Sequence, residues 1–166
     1  MKITVRTITL TLLVLLMLVA AVSCGAGYKD DVKAATLSAS ALEKIPVEGG
    51  YSNADADFIE FTFPACAEYA DDYAIAYASN TSANINEVGV LHAANTEDAG
   101  KLFDATKQYL ADRKDAWMNA INYTPDEHPK MENAVCRQYG NYVVYTILTN
   151  EDSSAVLDVI EGQLKK

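Results

Sequence analysis

Residues 71–79, DDYAIAYAS, carry a side-chain period of two. Tyr73, Ile75 and Tyr77 fall on one side, and Ala74, Ala76 and Ala78 on the other. Alternation of this kind marks a β-strand. An alanine side also lets a helix come close. Residues 80–86 are a polar turn, and 88–93 form a second apolar run, so 71–93 reads as a hairpin with a long loop.

Downstream, Asn95 and Thr96 precede Glu97 and Asp98, which is an N-cap with an acidic first turn. Ala99, Leu102, Phe103, Thr106, Tyr109, Leu110, Ala116, Trp117, Ala120 and Ile121 trace an apolar stripe at helical spacing. That helix is expected to run to about Tyr123, where Thr124-Pro125 stops it. Residues 125–130 read as a loop. Two strands follow, 132–139 and 142–149, joined at the tight turn Gly140-Asn141. A last helix over 153–164 turns Val156, Leu157, Ile160 and Leu164 inward. The order from residue 71 is β-β-α-β-β-α. Hairpin-linked strands favour an antiparallel sheet. The expected class is therefore α+β, with about four antiparallel strands and helices packed on one face.

Upstream, Ala34, Leu37, Ala41, Leu42 and Ile45 recur at helical spacing and predict a helix over 32–45, ended by Pro46. Phe58-Ile59-Glu60-Phe61-Thr62-Phe63 has high β propensity, and its apolar residues alternate with Glu60 and Thr62. A short strand is expected there, before Pro64.

Residues 1–24, MKITVRTITLTLLVLLMLVAAVSC, state where the chain belongs. Lys2 and Arg6 form a positive n-region, and the apolar run that follows ends in small residues, the pattern of a secretory signal peptide. Ala21-Val22-Ser23-Cys24 resembles the lipobox of bacterial lipoproteins, with Ala21 in place of the usual Leu. The resemblance implies that Cys24 is lipidated and that the chain is cut just before it. Two or more acyl chains hold a protein stably on a membrane, whereas one does so only marginally. An uncleaved anchor is the other reading, although spanning takes about 20 apolar residues. Both place the positive end inside and the rest outside. The expected organisation is a signal peptide over 1–23, a lipidated cysteine and tether over 24–31, and one extracytoplasmic domain over 32–166.

Composition limits the partners. The chain of 166 residues has a net charge of −10. Two of its 13 basic residues, Lys2 and Arg6, lie in the leader, which leaves 11 against 23 acidic residues, a net −12. That balance argues against nucleic acid, whose phosphates need basic partners. It also excludes a basic membrane-surface patch. Outside the cytoplasm Cys66 and Cys136 are candidates for a disulfide; by chain entropy such a bridge would stabilise the fold by about 4 kcal/mol. The other reading is two buried thiols acting as small hydrophobes. No Cys-x-x-Cys or Cys/His cluster suggests zinc.

The order Asp71-Asp72-Tyr73-Ala74-Ile75, a long helix ending in Tyr123-Thr124-Pro125, then Asn133-Ala134-Val135 and Gly140-Asn141-Tyr142-Val143 resembles an uncharacterised bacterial family, domain of unknown function 4358. The resemblance covers roughly residues 71–160. The family occurs mainly in lipoproteins of Gram-positive anaerobes and supplies no activity to carry over. It implies a place on the outer face of the bacterial cell membrane.

Sites of chemistry are sparse. His92 and His128 are the only histidines, and no local nucleophile motif accompanies them or Cys66. Asn53, Asp55, Asp57 and Glu60 make a small acidic cluster. An EF-hand counted from Asn53 would need Gly and Glu where Phe58 and Pro64 stand. No catalytic residue, metal ligand or cofactor is assigned. Tyr73, Tyr77, Tyr142 and Tyr145 all fall on predicted strands. An open aromatic sheet would suit a glycan, a peptide or a protein of the envelope; a cover over it would instead make these tyrosines core residues. Three functions follow as expectations. The first is a lipid-anchored binding or interaction module of the cell envelope. The second is an envelope hydrolase near Cys66, His128 or Asp71-Asp72. The third is a small solute-binding receptor.

Overall fold

A computed structural model describes residues 27–80, 84–119 and 125–166. The leader with Cys24, part of the 80–86 turn, and Ala120, Ile121 and Tyr123 lie outside the described residues.

The sheet has five strands: β1 (Tyr51–Asn53), β2 (Asp72–Ala78), β3 (Glu87–His92), β4 (Val135–Tyr139) and β5 (Tyr142–Ile147). Their order is β1-β2-β3-β5-β4, with every pairing antiparallel. The α+β class and both expected hairpins are present. Gly140 turns the β4–β5 hairpin at φ 63°, a conformation that suits glycine.

The helices are α1 (Ala34–Leu42), α2 (Ala56–Phe61), α3 (Pro64–Tyr69), α4 (Thr96–Asn119), α5 (His128–Glu132) and α6 (Asn150–Leu164), and a 3-10 turn at Pro125–Glu127 precedes α5. They flank both faces of the sheet, where one face was expected. On the first face Ile75, Leu91, Val143, Tyr145 and Ile147 pack with Ile59, Phe63, Leu102 and Tyr109 of α2–α4. On the second, Val88, Val90 and Val144 pack with Leu37, Ala41, Val156 and Ile160 of α1 and α6. The physical reason lies in β3 and β5. These central strands are buried on both faces and are mostly apolar, so each face needs its own layer.

The segment 58–63 is the clear departure. It is the last part of α2 and the link to α3, and the fifth strand is β1 instead. Asp55 accepts a hydrogen bond from the Phe58 amide at 2.8 Å and caps α2. Ile59 and Phe63, four apart, are buried, while Phe61 between them is 76% exposed. The apolar spacing that matters is four, not two.

Local signals set the other ends. Asn95 caps α4 by accepting from the Asp98 amide at 3.0 Å. Thr149 caps α6 through the Asp152 amide at 3.1 Å. The first turn of α1 is capped from outside, by Asp72 of β2 accepting from the Ala34 amide at 2.9 Å. The end of the expected tether is docked. Lys29 donates to the Leu164 carbonyl at 2.7 Å, and Tyr28 bridges to Lys165. Among the described residues no helix is long and apolar enough to cross a membrane.

Candidate functional site

Glu87 begins β3 on the first face of the sheet, opposite Tyr77 of β2 and Ile147 of β5. It is 1% exposed, a burial that a carboxylate tolerates only with partners. Three side chains supply them. The Tyr109 hydroxyl donates to Oε1 at 2.5 Å, and the Tyr145 hydroxyl donates to the same oxygen at 2.7 Å. Arg113 Nη2 donates to Oε2 at 3.1 Å.

Each partner is positioned by ordinary fold geometry. Tyr109 and Arg113 are four apart on α4 and share the face that looks at the sheet. Tyr145 reaches across from β5, because Gly89 on β3 leaves room for its ring. Phe63 stacks on Tyr109 with ring centroids 4.5 Å apart, and Tyr145 meets Tyr109 edge-on at 5.5 Å. Burial, reinforced by the Glu87 charge, raises the pKa of both tyrosines, so their hydroxyls remain donors. Partial burial alone would lower the Arg113 pKa; Glu87 outweighs it and the net shift is upward.

With both carboxylate oxygens occupied, Glu87 is a holder of Arg113, not a free general base. Arg113 stands between two adjoining cavities and lines both. One, about 450 Å³, runs along Phe61, Phe63, Pro64, Tyr109 and Asp112. The other, about 400 Å³, is walled by Phe58, Tyr77, Asn86, Glu87 and Trp117. Aromatic walls with a few polar groups are the usual make-up of a small-molecule site.

The four tyrosines named as a candidate binding surface are divided. Tyr145 and Tyr142 are buried and lie on opposite faces, because their positions differ by an odd number. Tyr77 is half-buried against Phe58, with ring centroids 6.0 Å apart, and only Tyr73, at 40%, is exposed. Layers α2–α4 cover this face, the covered alternative of the sequence reading, with Phe58 among the covering residues. Tyr77 and Tyr145 do reach the region around Glu87, Tyr77 as a cavity wall and Tyr145 as a donor.

Cys66 and Cys136 are free thiols, so the candidate disulfide is absent from the structure. Both pack into the first-face core, and burial pushes each thiol up to about 12. They behave as small hydrophobes and not as activated nucleophiles.

His92 has both ring nitrogens engaged, Nδ1 with Asp71 at 2.6 Å and Nε2 with Asp30 at 2.9 Å. Its ring packs on Tyr142 at 4.5 Å. Partial burial would lower its pKa, but the two aspartates outweigh it and the shift is upward. Asp72 is occupied as the cap of α1. His128 lies on α5 beside Glu132, at 3.8 Å. The expected hydrolase groups therefore do not converge on one another. Among the described residues no His, Cys, Asp and Glu group could hold a metal ion.

Sequence reading passed over Glu87 and Arg113. Arg113 continues the Leu102–Thr106–Tyr109 stripe at the next helical position, so a cation on an inward face was the available signal. Glu87 sits just before the run assigned to β3 and gave no comparable sign.

No curated protein and no solved structure matches the chain. Residues 69–148 match the family model described as Domain of unknown function (DUF4358). The matched stretch holds β2, β3, α4, β4, β5 and all four members of the Glu87 cluster. Over residues 69–148 the chain is thus similar to that domain family.

Proposed function

We propose that this chain is a lipid-anchored, extracytoplasmic binding module of the bacterial cell envelope that takes a small ligand in the cleft around Arg113. One observation carries the binding part. A guanidinium is held at one edge by a fully buried, fully bonded carboxylate, and it lines two adjoining aromatic-walled cavities. Building a buried charge needs several partners, and here they leave an arginine with a fixed direction at a cavity wall. The location part is supported by the charged, apolar and small-residue order of residues 1–23 and by Cys24 after them.

Thermal melting of the full chain in detergent tests the binding reading. The panel is calcium, zinc, muropeptides, cell-wall glycans and amino acids. A ligand at a hundredfold its dissociation constant stabilises by about 2.7 kcal/mol. A specific rise in Tm supports the reading, and a flat response across the panel overturns it. Fractionation tests the anchor: Cys24→Ser is expected to move the protein out of the membrane fraction.

A further inference from the structure

We infer that the cavity walled by Phe58, Tyr77 and Trp117 takes one ring of an uncharged sugar. The inference rests on the binding reading above and names the ligand class for the same site.

Charge comes first. The ionic groups around this cavity are paired: Arg113 with Glu87 at 3.1 Å, and Lys130, which bonds the lining residue Asn84, with Glu127 at 2.7 Å. A cavity whose charges are already matched gains little from a charged ligand. The chain as a whole, at −10, repels anions.

Hydrogen bonding narrows the class further. Three buried side-chain atoms of residues lining this cavity have no partner among the described residues: Asn86 Oδ1, Arg113 Nε and Trp117 Nε1. Buried polar atoms are rarely left so, and each is unfavourable. One is an acceptor and two are donors. A carboxylate or sulfate, which only accepts, cannot serve Asn86 Oδ1. An ammonium, which only donates, cannot serve Arg113 or Trp117. A hydroxyl does both. These atoms have almost no contact with solvent, so sugar binding requires the half-buried Trp117 side chain to turn aside when a ligand enters. The walls fit the same class. Phe58 and Tyr77 stack at an interplanar angle of 20° and present flat apolar surface, against which the C–H face of a sugar ring packs.

Trp117 is the only tryptophan in the chain, so its fluorescence reports on this cavity alone. The test titrates the full chain, in a detergent without a sugar head group, with chitotetraose and maltotetraose as uncharged probes. Succinate, sulfate and spermidine serve as charged ones. The expected result is a saturable change of Trp117 emission with an uncharged probe. Tyr77→Ala is expected to weaken it about tenfold. A melting curve shows that this variant remains folded. Trp117→Phe, followed by calorimetry, keeps a ring but lacks Nε1 and is expected to bind the same probe more weakly. A saturable response to a charged probe alone overturns the sugar assignment and leaves the cleft standing as a binding site. Silence towards every probe overturns the sugar assignment, and the binding reading falls with it only where melting is also flat across calcium, zinc, muropeptides and amino acids.

Discussion

The ring of Tyr145 occupies the space that a side chain on Gly89 would need. The two residues are direct partners across β3 and β5. A Cβ on Gly89 would stand 2.5 Å from Cζ and 2.6 Å from Cδ1 of that ring. The missing side chain lets Tyr145 lie over its neighbouring strand and place its hydroxyl 2.7 Å from Glu87. A glycine in a central strand weakens the strand, and here close packing offsets that.

Gly89→Ala is therefore expected to destabilise by about 3 kcal/mol, through overpacking of a core with no room to give. Urea denaturation measures it. Combining the change with Tyr145→Leu is expected to recover part of the loss, since residues in contact are not additive. Equal loss in the single and double variants would show that the clash is not the cause.

Truncating Glu87 leaves two buried hydroxyls and a guanidinium without their acceptor. Glu87→Ala is expected to cost about 3 kcal/mol, the low end for a broken buried pair because solvent reaches part of Arg113. Glu87→Gln keeps an acceptor oxygen and is expected to lose about half as much. The double variant Glu87→Leu with Arg113→Met removes the unpaired guanidinium but not the two unpaired hydroxyls, so it is expected to recover part of the stability and to abolish the cleft's ligand response. Denaturation curves and melting with ligand separate the two effects.

His92 is expected to make stability depend on pH. Its pKa is raised in the folded chain by Asp30 and Asp71, against the opposing effect of burial. Lys33, Asp31, Asp72 and Tyr142 line the same small cavity. A raised folded pKa contributes stability that is complete below the unfolded value, about 6.5. It is lost as pH rises through the higher folded value. Denaturation across that window is expected to show falling stability towards alkaline pH, and His92→Gln is expected to flatten the fall. Because Asp30 belongs to the segment next to the expected lipid anchor, the same pH rise is expected to loosen residues 27–31 in hydrogen exchange.

The two cysteines are expected to resist alkylation. With both thiols pushed up to about 12, the reactive thiolate is scarce at neutral pH. Iodoacetamide is expected to label neither rapidly in the folded chain and both after urea. Cys136, which is partly exposed, is expected to react before the fully buried Cys66. A disulfide-sized mass difference before reduction would contradict the free thiols.

Much of the fold was legible because it rests on near neighbours. The period of two in 71–79, the Gly140-Asn141 turn and the capped stripe of α4 each lie within a few residues and mark β2, the β4–β5 hairpin and the long helix directly. The segment 58–63 carried both periods at once, and what decided it was the Asp55 cap together with a core that buries Ile59 and Phe63 but leaves Phe61 outside. The site was less legible for a related reason. Glu87, Tyr109, Arg113 and Tyr145 lie on three elements, and their meeting depends on strand register, on the rotation of α4 and on a gap at Gly89. By itself the sequence determined the class and the hairpins. Only the tertiary structure decided which side chains share a cavity, because a contact between distant residues follows from how layers pack and not from any local period.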